Sequence, residues 1–96
     1  MILRLRRRAL ADVEGAITWY SQQGSTLGER FLADFNRVLS WVEENPFLYA
    51  ERYRGVRRAG FPDFPYGLFF RVQGQNIDVI AVTADARNPA VWQRRS

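Results

Sequence analysis

The side chains of this chain that could do chemistry are mainly arginines. All fourteen basic residues are Arg, and the sequence holds no Lys, His or Cys. Arg binds carboxylates and phosphates through a planar fork, but it stays protonated at neutral pH and makes a poor general base. Without His and Cys, the usual zinc ligands and all thiolate or disulfide chemistry are also missing. The chemistry that remains is anion binding, with carboxylates and tyrosines as the only groups for proton transfer.

Most of the candidate binding residues are arginines in the second half of the chain. The residues that could contact a target or a phosphate are Arg57, Arg58, Arg71, Arg87, Trp92 and Arg94. Arg57 and Arg58 are neighbours in a predicted strand, so only one of them can point to the working face. If the others converge with it, they form an Arg cluster able to bind phosphate or carboxylate bidentately. Alternatively, Arg57 and Arg58 pair with Glu51 or Asp63 and have a structural role.

The acidic residues and tyrosines offer no recognisable catalytic site. Glu43, Glu44, Glu51 and Asp63 do not have the spacing of metal ligands, and no Gly-rich phosphate loop is present. Tyr66 is expected to pack in the core. We therefore predict no catalytic residue, no metal and no cofactor.

A sheet is predicted in the second half, where most of these arginines lie. The predicted strands are residues 56–59, 65–72 and 77–83, which are rich in aromatic and β-branched residues. A short polar loop with one Gly joins the last two strands, as expected for a hairpin. After it, Asn88-Pro89 favours a short terminal helix that carries Trp92 and Arg94.

Both faces of the predicted hairpin are partly apolar, although a sheet with helices on one side should have one polar face. In its second strand, alternation places Val79 and Ala81 on one face and Ile80 and Val82 on the other. Phe69 adds a large apolar side chain to the face away from the helices. The surplus at Phe69, Ile80 and Val82 must be covered by the C-terminal tail or by a partner.

The first half of the chain predicts a short strand at residues 2–5 and then an antiparallel pair of helices. The first helix is predicted from about residue 8 to 22, with Gly24 closing it. Thr26 and Glu29 have the spacing of a capping box at the start of the second helix. Asn45-Pro46 ends that helix, because the residue before Pro avoids the helical conformation.

The faces of the two helices follow from helical spacing. The buried stripe of the first helix is predicted to hold Leu10, Val13, Ile17 and Tyr20. On the second helix, Asp34 is expected on the outer face, where it can pair with Arg37. Trp19 and Trp41 fall at or near polar faces, where a large aromatic is either a docking point or a side chain packed on its neighbours.

Length and composition bound the possibilities further. Ninety-six residues predict one domain spanning residues 1–96. The net charge of +4 fits either a codon bias towards Arg or an acidic partner, which could be nucleic acid or an acidic protein segment. No apolar run is long enough for a membrane span, and the first residues lack the apolar core of a signal peptide. We therefore expect a cytoplasmic protein without membrane partners.

The order β-α-α-β-β-β predicts an α+β, two-layer fold in which an antiparallel sheet packs against the helical hairpin, followed by a short C-terminal helix. In this order and spacing the chain resembles the RelE/ParE superfamily of toxins from type II toxin–antitoxin systems, in its ParE-like branch. The matching segments are Arg8-Ala9, Asp12-Val13, Trp19-Tyr20, Arg30-Phe31, Asn45-Pro46, Arg57-Arg58, Phe64-Pro65-Tyr66, Val79-Ile80-Ala81-Val82 and Arg87-Asn88-Pro89 with Trp92.

This resemblance implies a partner and a target. Toxins of this superfamily are neutralised by a cognate antitoxin whose C-terminal segment wraps the helical hairpin and the sheet, so we expect a hetero-oligomer with an acidic, ParD-like antitoxin. The antitoxin-binding residues are predicted to be Trp19, Trp41, Phe69, Ile80 and Val82. ParE-like members poison DNA gyrase, which makes gyrase the implied target.

Two other functions stay open. RelE-like members cleave mRNA on the ribosome, but ribonuclease branches use Lys, His or Glu for acid–base work, and the family often has His where this chain has Thr83-Ala84-Asp85. A non-toxic, basic RNA-binding domain is the other alternative. RNA-binding sheets usually display stacking aromatics, and only Phe69 fits that role here.

Overall fold

The computed structural model of the chain describes all 96 residues and has two layers, a helical hairpin on one face of a five-stranded sheet. Its elements are β1 (Ile2–Leu5), α1 (Arg7–Gln23), α2 (Leu27–Glu44), a 3₁₀ turn (Pro46–Leu48), β2 (Glu51–Tyr53), β3 (Val56–Gly60), β4 (Tyr66–Gln73), β5 (Asn76–Ala84) and α3 (Ala90–Gln93). The predicted α+β class is confirmed. Neither long helix is apolar over a length that would cross a membrane.

The sheet is mixed, whereas the sequence predicted an antiparallel one. Its strand order is β1-β5-β4-β3-β2, and β1 pairs with β5 in parallel. The N–H of Ile2 bonds the carbonyl of Gln75 at 2.7 Å, and the N–H of Arg6 bonds that of Val79 at 3.0 Å. An apolar pattern shows which face of a strand is buried but not the direction of its neighbour, so the sequence could not reveal this pairing.

Strand β2 was not predicted from the sequence. It pairs with β3 across a tight turn at Arg54-Gly55, where both residues have positive φ, 48° and 79°. Such turns match the twist of a hairpin, but their usual signal is Asn-Gly or Asp-Gly. Because Arg occupies the first position of this turn, the usual signal is absent and the turn was not predicted.

The core between the layers is built by both helices and the central strands. Phe31, Phe35, Val38 and Val42 from α2 are buried. On α1, however, Leu10 is 47% exposed, and the small residues Ala9 and Ala16 are buried beside Val13 instead. The buried stripe of α1 is therefore rotated from the predicted one, and small side chains make its closest contacts.

Asp34 is buried and does not lie on the outer face of α2 as predicted. Its Oδ2 accepts a hydrogen bond from the N–H of Asp63 at 3.0 Å, and its Oδ1 accepts one from Arg37 at 3.3 Å. A buried carboxylate needs hydrogen-bond partners, and this N–H and Arg37 supply them. Asp34 thus fastens the loop between β3 and β4 to α2.

A β-bulge in β5 breaks the predicted alternation. Phe70 lies opposite Val79 and Phe69 opposite Ala81, so the pairing skips Ile80. As a result Ile80 and Ala81 both join the apolar cluster on the outer face, while Val82 packs in the main core with Val79. A bulge inserts one unpaired residue and so reverses the faces of all residues beyond it.

The capping box predicted at the start of α2 is not formed. Thr26 has helical dihedrals, φ −112° and ψ −5°, and its side chain makes no cap hydrogen bond. An N-cap residue normally has an extended backbone. The turn between the helices is too tight for that conformation, since the N–H of Leu27 already bonds the carbonyl of Gly24 at 3.2 Å.

Gly28 allows α1 and α2 to approach closely, which generates a prediction. A Cβ at Gly28 would lie 3.0 Å from the carbonyl oxygen of Ile17 and 2.0 Å from Oγ of Ser21, whereas a Cβ at Gly15 meets nothing within 4 Å. The hydroxyl can rotate away, but the backbone carbonyl cannot. Overpacking costs about 1–3 kcal/mol, and the better helix propensity of Ala offsets up to about 1 kcal/mol.

We therefore expect Gly28→Ala to lower the free energy of unfolding and Gly15→Ala to raise it by about 0.5–1 kcal/mol. Urea unfolding followed by circular dichroism measures both. Equal effects of the two substitutions would show that the helices do not touch at Gly28.

Candidate functional site

An open groove of about 460 Å³ lies on the face of the sheet away from the helical hairpin. Strands β2 to β5, the loop after β5 and α3 all contribute to it. The lining residues are Arg52, Arg58, Phe69, Thr83, Ala84, Asp85, Arg87, Pro89, Trp92 and Gln93. We call it the arginine groove.

Arg58 crosses the sheet inside the arginine groove. It lies on β3 opposite Phe69, and its Nη2 donates a hydrogen bond to Oδ1 of Asp85 at 2.6 Å. A Cβ at Gly67 would lie 2.6 Å from Nε of Arg58, so any larger residue there would displace the Arg58 side chain. Gly67 thus lets the guanidinium lie along the sheet and reach the loop after β5.

Trp92 closes the apolar part of the arginine groove. Its ring stacks on Phe69 with centroids 4.3 Å apart and planes at 15°. Phe69 and Ile80 are buried in the outer cluster with Trp92, and Val82 is buried in the main core. Of the two covers proposed for the apolar surplus, the structure shows the C-terminal tail. None of the three side chains lies on the surface, so an antitoxin could reach Phe69 or Ile80 only by displacing α3.

The tail is anchored by an ion pair between its penultimate residue and α1. Arg95 donates to the two carboxylate oxygens of Asp12 at 2.6 and 3.2 Å, and to the carbonyl of Ile80 at 3.3 Å. Asp12 also accepts the N–H of Val82 at 3.0 Å. Both side chains are largely buried. Asp12 and Arg95 together bond the edge of β5 at the bulge, beyond the point where β1 ends.

A second groove of about 290 Å³ runs between α1 and the end of β5. It shares Thr83, Ala84 and Arg87 with the arginine groove, and Trp19 and Tyr66 form its walls. Burial, and next the neighbouring Tyr20, raise the pKa of Tyr66, although Arg87 opposes the shift. Tyr66 therefore keeps its proton at neutral pH.

The structure brings together only part of the predicted arginine cluster. Arg58, Arg87 and Trp92 meet in the arginine groove, while Arg94 lines a different surface. Arg57 points to the helix side, where it bonds the carbonyl of Tyr49 at 2.5 Å and Glu51 at 3.4 Å.

The last predicted arginine, Arg71, bonds the carbonyl of Arg54 at 2.8 Å. Neither Arg57 nor Arg71 lines a groove. The structural alternative for Arg57, pairing with Glu51, is confirmed, and Arg58 is the member of the pair that faces the arginine groove.

Three residues of this region were not singled out from the sequence. Arg52 belongs to the strand that was not predicted, and Arg95 was given no role. Asp12 was named only within a segment that resembles the family and was given no role. Helical periodicity cannot show that a carboxylate points inward and bonds an arginine 83 residues away in the sequence.

The arginine groove is suited to binding an anion and offers little for proton transfer. Arg52 and Arg87 make no ion pair, whereas Arg58 is paired with Asp85. That pairing occupies the only carboxylate of the groove. No three potential metal ligands cluster anywhere in the chain.

The two terminal arginines should differ sharply when replaced. Arg95→Ala leaves Asp12 without its partner in a largely buried position, and we expect a loss of about 1–3 kcal/mol of stability. Arg94→Ala removes an exposed side chain that makes no ion pair and should change stability by less than about 0.5 kcal/mol. Thermal unfolding of both variants tests this, and indistinguishable melting temperatures would mean that the ion pair does not anchor the tail.

Comparison with known proteins agrees with the fold described above. The family model described as the ParE toxin of the type II toxin–antitoxin system parDE matches residues 3–89. A comparison with curated proteins finds no match. Among solved structures, a chain of the chromosomal ParDE TA system from P. aeruginosa has a TM-score of 0.78 and 22% identity, covering 88% of this chain and 95% of that one. The structural likeness shows a shared fold, and the family match over most of the chain shows that this protein belongs to the ParE toxin family.

Proposed function

We propose that this chain is a toxin that a ParD-like antitoxin neutralises, and that it acts by binding DNA gyrase and not by cleaving RNA. Membership of the ParE toxin family supports the toxin role. The observation that carries the rest is the chemistry of the arginine groove, which has cationic groups for binding and no free base.

Cleavage of RNA by its 2′-hydroxyl needs a base for that proton, an acid for the leaving oxygen and stabilisation of the phosphate charge. Arg52, Arg58 and Arg87 suit only the third task. Tyr66 keeps its proton, because burial raises its pKa. Asp85 is held by Arg58 at 2.6 Å. The groove therefore supports binding of a partner more than a chemical step.

A RelE-like, ribosome-dependent ribonuclease is the second candidate, and the three groove arginines are the observation that favours it. Arg binds phosphate well, and a purely electrostatic site could support slow cleavage. A non-toxic RNA-binding domain has less support. Phe69 was its only candidate for stacking on bases, and Trp92 covers that ring.

Parallel assays of both targets test the proposal. We expect the purified toxin to inhibit DNA supercoiling by gyrase and to leave mRNA intact on programmed ribosomes. Arg87→Ala, which removes an exposed and unpaired groove arginine, should weaken inhibition about fivefold or more, because the interface residues that carry most of the binding energy each cost more than about 1 kcal/mol when truncated. Arg30→Ala is the matched control, because Arg30 is also exposed and unpaired but lies on α2. Codon-phased mRNA ends with normal supercoiling would overturn the proposal in favour of the ribonuclease.

The exposed tryptophans of the helical hairpin are proposed as antitoxin contacts. Trp19 is 54% exposed and Trp41 is 41% exposed. Trp19 lies near the end of α1 that leads to α2, and Trp41 lies near the far end of α2. One antitoxin segment would have to run along the hairpin to contact both, and the basic net charge of the toxin favours an acidic segment.

Replacing either tryptophan should weaken the toxin–antitoxin complex. We expect Trp19→Ala and Trp41→Ala each to cost more than about 1 kcal/mol of binding free energy if both are hot spots. Ile2→Ala is the control, because Ile2 is also exposed but belongs to β1, outside the hairpin. Isothermal titration calorimetry with the cognate antitoxin measures the affinities. Wild-type affinity in both tryptophan variants would remove these residues from the interface.

A further inference from the structure

A second cationic surface lies apart from the arginine groove. It is an open cleft of about 410 Å³ lined by Arg6, Arg7, Arg8, Ile80, Arg94 and Arg95. The side chain of Ile80 is fully buried, so arginine side chains make up the part of the cleft that solvent contacts. We call it the basic cleft, and it shares no lining residue with the arginine groove.

Three of the five arginines in the basic cleft have no carboxylate partner. Arg95 is bound to Asp12. Arg6 approaches Asp78 at 3.7 Å, but Asp78 also pairs with Arg4 at 3.3 Å. Arg7, Arg8 and Arg94 form no ion pair, and no acidic residue lines the cleft. The cleft therefore carries uncompensated positive charge.

The two ends of the chain are held together to make the basic cleft. Arg6 to Arg8 follow β1 and begin α1, and Arg94 and Arg95 follow α3. Arg6 donates to the carbonyl of Arg95 at 3.3 Å, and the Asp12–Arg95 pair fixes the tail beside α1. Like charges that repel one another are thus brought to one place by contacts at both ends.

The start of α1 adds to the positive potential of the basic cleft. Its first turn has no acidic residue, and its N-cap makes no side-chain hydrogen bond. Cations near a helix N-terminus oppose the helix dipole, so this arrangement is unfavourable for the free protein. An anion in the cleft would relieve both the dipole and the mutual repulsion of the arginines.

We propose that the basic cleft binds the phosphodiester backbone of a double-stranded nucleic acid without reading its bases. Contacts to phosphates need only Arg side chains and carry no sequence information. An acidic peptide would usually also need apolar anchors, which the cleft does not offer. Single strands are held largely by stacking on aromatic rings, and no aromatic residue lines the cleft.

Fluorescence anisotropy with labelled 20-base-pair duplexes of DNA and of RNA tests the proposal on the full chain. We expect binding that weakens with salt and does not depend on sequence. Arg7→Gln/Arg94→Gln removes one unpaired charge from each end of the chain. Each lost phosphate contact should flatten the slope of log affinity against log salt by about 0.9, so the double variant should lose about 2 from that slope and bind about tenfold more weakly in low salt.

The matched control is Arg30→Gln/Arg54→Gln, which removes the same charge from two exposed arginines that form no ion pair and line neither the basic cleft nor the arginine groove. We expect it to bind duplexes within about threefold of wild type. Unchanged thermal unfolding of both double variants shows that the fold is kept. Binding of DNA and RNA duplexes alike supports backbone recognition, and a preference for one of them names the source of the phosphates.

Three results would overturn the proposal. They are an equal loss of affinity in the control variant, no binding of duplexes by wild type in low salt, and tighter binding of a single strand or of a polyglutamate peptide than of a duplex. None of these depends on whether gyrase is the target of the toxin.

Discussion

The outer half of this structure depends on the ion pair between Asp12 and Arg95. Strand β1 covers the edge of β5 only as far as Val79, and the bulge that follows leaves the carbonyl of Ile80 and the N–H of Val82 without a strand partner on that side. Arg95 and Asp12 bond these two groups and each other. Buried backbone groups left unpaired would cost stability, so one side-chain pair satisfies the sheet edge and fixes the tail. With the tail in place, Trp92 covers Phe69 and the outer face of the sheet is closed.

The placement of carboxylates decides which arginines are free to bind anything. Arginines outnumber the ten acidic residues, and several of the carboxylates serve two partners. Asp78 faces both Arg4 and Arg6, and Asp34 bonds Arg37 together with a backbone N–H. The unpaired arginines that remain are not spread evenly. Five of the eight lie on two surfaces, the arginine groove and the basic cleft, on either side of the C-terminal segment, and Arg30, Arg54 and Arg71 lie outside both. If one acidic residue were moved to another position at constant net charge, a different surface would therefore attract an anion.

Much of the architecture could be predicted from the sequence, and much of the site could not. Helical spacing and strand composition were enough for the two-layer class, the helical hairpin and the hairpin of β4 and β5. The predicted faces of β5 were wrong beyond the bulge at Ile80. One unpaired residue exchanges the faces of all residues that follow it, and the sequence pattern does not show where this happens. The parallel pairing of β1 and the inward orientation of the Asp34 side chain depend on tertiary contacts, which leave no local signal in the sequence. The grouping of the arginines could not be predicted for the same reason. Which arginines meet depends on strand parity, as for Arg57 and Arg58, and on contacts between the two chain ends.

The C-terminal segment links the two cationic surfaces physically. Trp92 and Gln93 line the arginine groove, and Arg94 and Arg95 line the basic cleft, so four consecutive residues serve both. Any partner that displaces this segment must break the Asp12–Arg95 pair and expose Phe69. It would then open the groove and dismantle the cleft in one step, since neither surface is complete without the tail. A fold shared at 22% identity does not by itself fix what a protein binds. In this chain, a few residues of the C-terminal segment hold in place the side chains of both cationic surfaces.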